Sequence, residues 1–318
     1  MKNKKIVVIG GGTGLSTLLR GLKLYTNKIT AVVTVADDGG SSGRLRDDLG
    51  MLPPGDVRNC VSALAETDTV WQELMNFRFS EGTLSGHSLG NLTLAALNEM
   101  SQSFEEAVMK FNQLMGVSGI VYPVTNESVV LSAVLEDGTF VEGESNIGTY
   151  REGENKGIKE IYMTPEKPEP VSGVIKAIGE ADVIVIGPGS LYTSIIPNLL
   201  VDGVCDAIHK SKAKKIYVTN IMTQPGETDG YSASKHLDEI EKYSYKGIAD
   251  AVILNTSLLP AGLSEKYALQ NAYPVNPDTE NLYSRTVVLE DNFVLVKNEK
   301  IRHNFMKLAR IIMYFAGR

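Results

Sequence analysis

Residues 5–22 read KIVVIGGGTGLSTLLRGL, and their reading decides the fold. Ile6, Val7, Val8 and Ile9 form a short apolar run, the pattern of a strand buried on both faces. Gly10, Gly11, Gly12, Thr13 and Gly14 follow at once. Leu15, Leu18, Leu19 and Leu22 then recur at helical spacing. Strand, glycine turn and helix make the first half of a βαβ unit. Glycines let the backbone approach a ligand closely, and a helix start presents free N–H groups to an anion. The turn is therefore read as a phosphate site, against the plainer reading of a tight turn that packs helix on strand. It is not the G-x-G-x-x-G fingerprint, because Thr17 stands where the third glycine would be, and it lacks the Gly-Lys-Ser/Thr ending of a P-loop. A branched side chain at Gly12 is expected to fill the space a phosphate needs.

Working outward, a second strand over 29–36 runs into Asp37, Asp38, Gly39, Gly40, Ser41, Ser42, Gly43 and Arg44, read as a long polar loop. Pro54 and Gly55 turn the chain into a helix starting near Asp56, with Val57, Val61, Leu64 and Ala65 as its apolar face. Helices are predicted over 70–79, with Trp71, Leu74, Met75 and Phe79 as core, after the polar turn at Ser85–Leu92, and over 104–115. Residues of about 56–116 thus form a helical segment inserted in the α/β pattern. A short strand at 121–124 precedes a hairpin, 129–135 with 139–144, around Asp137-Gly138. Residues 142–159 are polar and without periodicity, a surface excursion. Residues 181–186 repeat the opening logic and end in Gly187, Pro188, Gly189 and Ser190. Strands at 215–219 and 251–254 follow, ending in polar loops at 219–231 and 255–257. Ser234 opens a helix, two late strands cover 286–289 and 293–296, and Arg302-His303-Asn304 introduces a terminal helix. Strands alternating with helices predict a mostly parallel sheet with helices on both faces.

Five polar loops all follow strands, at 10–14, 37–44, 187–190, 219–231 and 255–257. Ligands of open α/β sheets bind outside the carboxyl ends of strands, so the five are expected to share one site. Adjacent Asp37 and Asp38 can hold Mg²⁺, or one can accept from a ribose; the alternative is capping of the Gly39-Gly40 turn. Successive residues at a strand end point oppositely, so one of the two is expected to face the site. Arg44, Arg46 and Arg58 can pair with phosphates or with Asp47, Asp48 and Asp56. Arg302 and His303 suit a diphosphate, against a plain surface basic pair. His87 is expected to be structural, and His209 and His236 to lie on the surface. Four scattered histidines make no histidine metal site, and there is no G-x-S-x-G of a serine hydrolase.

The net charge of −7 over 318 residues argues against nucleic acid as a partner. Cys60 and Cys205 give neither a disulfide framework nor a zinc pattern and are expected as buried thiols of a reducing cytosol. The apolar run behind Met1 is too short for a signal peptide, and no run approaches the ~20 residues of a membrane span.

Taken together, GGGTGLSTLLRGLK, VTVADDGGSSGRLRDDLGMLPPGDVRNC, SGHSLGNL, IGPGSLYTSIIPNLLV, TNIMTQPGETDGYS and the closing IRH resemble the YvcK/CofD-like family, in its YvcK branch of gluconeogenesis factors. The resemblance covers nearly the whole chain, and the long second motif is far more specific than a glycine loop. It implies one nucleotide-binding domain over 1–318, with a Rossmann-like three-layer α/β/α fold, a mostly parallel sheet, the inserted helices and the β-hairpin. It implies a cytoplasmic, regulatory protein that binds UDP-N-acetylglucosamine and is needed for cell shape and wall synthesis on gluconeogenic carbon. A wall-synthesis protein is the implied partner, and a homo-oligomer is expected. By matching motif, Gly11, Gly12, Thr13, Gly14, Asp37, Asp38, Gly187, Gly189, Ser190 and Asn220 line the nucleotide site and Arg302 helps close it. The CofD branch implies the alternative, a Mg²⁺-dependent transferase resembling 2-phospho-L-lactate transferase. A third reading is an NAD-type binder. Where the family has Asp after Arg-His, this chain has Asn304, which removes a carboxylate.

Overall fold

The computed structural model describes residues 3–66, 69–149 and 157–317. In chain order the strands are β1 (Ile6–Gly10), β2 (Ile29–Val33), β3 (Ile120–Pro123), β4 (Val130–Leu135), β5 (Phe140–Glu142) and β6 (Ile158–Thr164), followed by β7 (Val183–Ile186), β8 (Lys214–Val218), β9 (Ala251–Asn255), β10 (Val287–Asp291), β11 (Val294–Lys297) and β12 (Lys300–His303). The helices between β1 and β3 are α1 (Gly12–Leu22), α2 (Gly40–Leu49), α3 (Gly55–Leu64), α4 (Thr69–Asn76), α5 (Leu89–Glu99) and α6 (Phe104–Leu114). Then come α7 (Glu144–Ile147), α8 (Ser172–Glu180), α9 (Ile196–Leu199), α10 (Val204–Lys210), α11 (Ala233–Lys242), α12 (Ala261–Ala268), α13 (Thr279–Tyr283) and α14 (Phe305–Ala316). A π-helical turn, Leu191–Ile195, leads into α9.

Seven strands form one sheet in the order β10-β9-β8-β7-β1-β2-β3, and every pair in it is parallel. The two central strands explain the choice of residues. All of β1 and all of β7 are buried, so both strands are continuously apolar and both faces are covered. From β1 the chain goes first toward β2 and β3, then returns to the other side of β1 at β7. Right-handed crossovers running in opposite directions put α1 on one face and α10 on the other. On the first face α1 packs against α3 and α14, with Leu15, Leu18, Leu19 and Leu22 fully buried; on the second, α8 packs against α10. Leu18→Ala is expected to cost about 2–5 kcal/mol, read as a lower urea midpoint at unchanged slope.

Two small sheets stand apart. The order β5-β4-β6 is antiparallel, and its tight turn is closed by Thr139 N–H donating to Asp137 Oδ1 at 3.0 Å. The strand expected at 293–296 does not extend the main sheet. It is β11, which pairs antiparallel with β12, a strand hidden in the sequence by the basic residues read as a helix start. Asn304 is the N-cap of α14, its Oδ1 accepting from Lys307 N at 3.2 Å.

Other expectations need correction. The glycine-rich stretch 37–44 is a short turn that becomes helix α2 at Gly40, because its small residues, Ser41, Ser42 and Gly43, pack into the interior. Of the four core residues expected over 70–79, Met75 is buried and Trp71 packs half-buried against the core; α4 stops at Asn76 and Leu74 faces outward. His236 is fully buried rather than on the surface, its Nδ1 donating to Ser232 O at 2.8 Å within α11. The excursion at 142–159 holds α7 and the start of β6, and 150–156 lie outside the described residues. Among the described residues no single helix is long and apolar enough to cross a membrane.

Candidate functional site

The reversal of strand order lies between β1 and β7, where an open parallel sheet leaves a crevice. The two glycine turns meet there. Gly187 N–H donates to Ile9 O at 2.8 Å, and the Asn198 amide bridges Gly10 O at 3.1 Å and Ser194 O at 2.8 Å. The Gly187–Pro188 peptide is cis. A Cβ on Gly14 would lie 2.5 Å from Pro188 O, so only glycine lets the two turns approach.

Over this crevice opens a cavity of about 660 Å³. The first turn lends Gly11, Gly12, Thr13 and Gly14 to its wall, and the second Gly189 and Ser190. Asp37 from the β2 end, Asn220 from the β8 end and Arg302 from β12 complete the set that sequence motifs brought together. Gly187 lies behind the wall, and Asp38 is turned aside to α7. The loop at 255–257 is not in the wall: Asn255 Oδ1 accepts from Phe293 N at 3.0 Å and fastens the entry to β11.

Sequence reading missed most of the acids and hydroxyls. Asp56, Glu144 and Glu227 line the cavity beside Asp37. Asp56 Oδ2 takes the Gly12 N–H at 2.6 Å, so a carboxylate already occupies the first donor of α1. Burial, reinforced by Asp37, raises the Asp56 carboxyl to about 6. Glu227 accepts from the Ser190 hydroxyl, and burial raises it to about 7. Burial likewise raises Glu144 to about 7, against a hydrogen bond from Thr193 and with added repulsion from Asp37, Asp38 and Glu227. Thr193 Oγ1 lies 2.8 Å from Ser190 Oγ, so Glu144, Thr193, Ser190 and Glu227 form one polar chain along the wall. Thr34 Oγ1, buried beside the first turn and lining the cavity, has no partner among the described residues.

The rest of the wall is neutral or basic. Arg302 is the only arginine or lysine lining the cavity among the described residues; its Nη1 donates to Ile301 O at 3.0 Å. His303 donates through Nε2 to Thr219 O at 3.1 Å, and burial lowers it to about 4, so its ring stays neutral. The Tyr267 hydroxyl accepts from Ile301 N at 2.9 Å and ties α12 to β12.

The other arginines serve the frame. Arg58 is buried and donates to Asn91 Oδ1 at 3.2 Å and Asn76 Oδ1 at 2.6 Å, joining α3, α4 and α5 rather than a phosphate or Asp56. Arg44 holds Ser85 O and Arg46 holds Ser128 Oγ. His87 is buried with its Nδ1 2.9 Å from Ser41 Oγ. The Asp37-Asp38 pair does not fit a two-carboxylate Mg²⁺ cradle. Each Asp38 oxygen already takes a backbone N–H, so the pair presents one carboxylate to the cavity. Among the described residues no group of three or more His, Cys, Asp or Glu is placed to hold a metal ion.

A family described as 2-phospho-L-lactate transferase CofD matches residues 6–294. The gluconeogenesis factor of Bacillus subtilis is 46% identical over 97% of this chain and 97% of its own length. That of Halalkalibacterium halodurans is 47% identical over 98% and 97%. Among solved structures, a UPF0052-family protein from Bacillus halodurans superposes with a TM-score of 0.94 at 46% identity, covering 98% of this chain and 100% of that one.

Proposed function

The chain belongs to the CofD-like family, in the branch of the gluconeogenesis factors, and from that premise we propose that it is a regulatory protein that binds UDP-N-acetylglucosamine. The cavity carries the reading. It lies at the switch point of the sheet, and at about 660 Å³ it falls within the roughly 300–1,000 Å³ of small-molecule sites. Backbone turns and one arginine suit a diphosphate, and the row of carboxylates and hydroxyls suits a ligand rich in hydroxyl groups. The Thr34 hydroxyl beside the first turn, without a partner among the described residues, is a further polar group for a ligand to satisfy. Bound ligand would report nucleotide-sugar supply to a wall-synthesis protein during gluconeogenic growth.

Calorimetry is expected to give tighter binding of UDP-N-acetylglucosamine than of NAD or GDP-linked ligands. Equal affinities, or none, would sink the reading. Arg302→Ala is expected to weaken binding by roughly 1.5–3 kcal/mol, the range for a charged hydrogen bond, with an unchanged melting curve. The family description favours a second reading, a nucleotide-linked transferase. Release of free UDP from UDP-N-acetylglucosamine with Mg²⁺ and any acceptor would select it.

A further inference from the structure

The segment after β5 is tied to the site from 106 residues away. Asp38 Oδ2 accepts from Glu144 N at 2.9 Å, and Asp38 Oδ1 accepts from Ser145 N at 2.8 Å. Both oxygens of one carboxylate thus clamp the start of α7. The clamp has a visible product: the Glu144 side chain enters the cavity wall, where the Thr193 hydroxyl meets it. Among the described residues no other hydrogen bond joins the backbone of Glu144 or Ser145 to the main sheet.

The position of Glu144 also fixes which part of a ligand it can meet. It stands on the β2 side of the crevice, beside Asp37 and linked through Thr193 and Ser190 to Glu227. A phosphate there would meet the field of Asp37, Asp38 and Glu227, which already repels the Glu144 carboxylate. Arg302 belongs to β12, which joins the cavity from the β8 side, where His303 is bonded to Thr219. Arg302 is the one basic side chain on the wall among the described residues, so it is the group that suits a diphosphate, and ligand hydroxyls are left for Glu144, since a carboxyl oxygen accepts from them.

We infer that Glu144 accepts hydrogen bonds from the sugar of the bound ligand, and that Asp38 is the residue that positions it. The assignment of the sugar rests on the nucleotide-sugar reading; the positioning by Asp38 does not. Asp38 thereby acts through Glu144 and not as a ligand of Mg²⁺.

The test compares UDP-N-acetylglucosamine with UDP, by calorimetry, on the full chain. Glu144→Ala is expected to weaken the sugar nucleotide about tenfold and UDP less than twofold. Glu144→Gln keeps an acceptor oxygen and is expected to lose about threefold. Asp38→Asn can accept only one of the two N–H groups, and is expected to match Glu144→Ala in affinity. In the ligand-free protein it should also speed hydrogen exchange at the amides of Glu144 and Ser145 about tenfold. Equal weakening of UDP and the sugar nucleotide would overturn the inference, because it would place Asp38 and Glu144 at the diphosphate. So would Asp38→Asn with unchanged exchange and affinity. If the unaltered protein binds neither nucleotide, the nucleotide-sugar reading and the sugar assignment fall together, and the exchange measurement still decides the role of Asp38.

Discussion

Glu227→Gln is expected to raise the melting temperature above pH 7, although it removes a charge that sits in a hydrogen bond. Glu227 is 6% exposed, and burial lifts its carboxyl from 4.5 to about 7. In the unfolded chain it ionises near 4.5. Between pH 4.5 and 7 the folded state therefore holds a proton that the unfolded state has released, and stability falls as pH rises through that window. Once both states are ionised, a shift of this size has cost roughly 3 kcal/mol. Glutamine has the same shape, keeps an oxygen to accept from the Ser190 hydroxyl and does not titrate. The difference in melting temperature between variant and parent is expected to be near zero below pH 5 and to reach about 5 °C by pH 8. The measurement is a set of ligand-free thermal melts from pH 4.5 to 8. A constant difference across that range would show that Glu227 titrates alike in the folded and unfolded states.

That acid could not be found in the sequence, and the reason is general for this site. Glu227 sits in a polar, glycine-bearing loop, where a glutamate has no periodic neighbours to mark it as buried. Glu144 lies in a stretch with no apolar period, and its place in the wall depends on Asp38, which is 106 positions away. Asp56 was read as the start of a helix, which it is, but its carboxylate serves the first N–H of a different helix, α1. Long-range polar contacts of this kind leave no pattern in a single chain. The strands did, because a sheet covered on both faces forces continuous apolar runs such as 6–9 and 183–186. The ends of those strands then located the crevice, since ligands meet parallel sheets at their carboxyl edges. Four of the five loops expected there contribute to the cavity. The fifth, at Asn255, is spent on fastening β11. Where composition and tertiary packing disagreed, packing won: residues 40–44 look like a loop and open helix α2 because their small side chains fit against the interior.

The two glycines of the opening turn separate fold from ligand, and they are expected to fail differently. Gly14→Val should lose the fold. Its Cβ would lie 2.5 Å from Pro188 O, 2.9 Å from Pro188 C and 3.2 Å from Gly189 N, all backbone atoms of the neighbouring turn. That turn is held by Gly187 N–H on Ile9 O and cannot retreat without parting β1 from β7 at the centre of the sheet. Overpacking of this kind costs about 1–3 kcal/mol where side chains can adjust, and here the opposing atoms are main chain, so roughly 3 kcal/mol or more is expected. The readout is a lowered urea midpoint together with poor recovery of folded protein. Gly12→Val meets almost nothing: the nearest atom to its Cβ is Ser194 Oγ at 3.7 Å. Its cost is the backbone, held at φ +66, about 1–2 kcal/mol for a side-chain-bearing residue. The fold should survive, while the valine projects into the cavity wall where the first turn would receive a phosphate. A folded Gly12→Val that still binds UDP-N-acetylglucosamine at parental affinity would remove the first turn from the ligand site and leave it as packing alone. A Gly14→Val protein as stable as the parent would mean that β1 and β7 are not locked together where the strand order reverses.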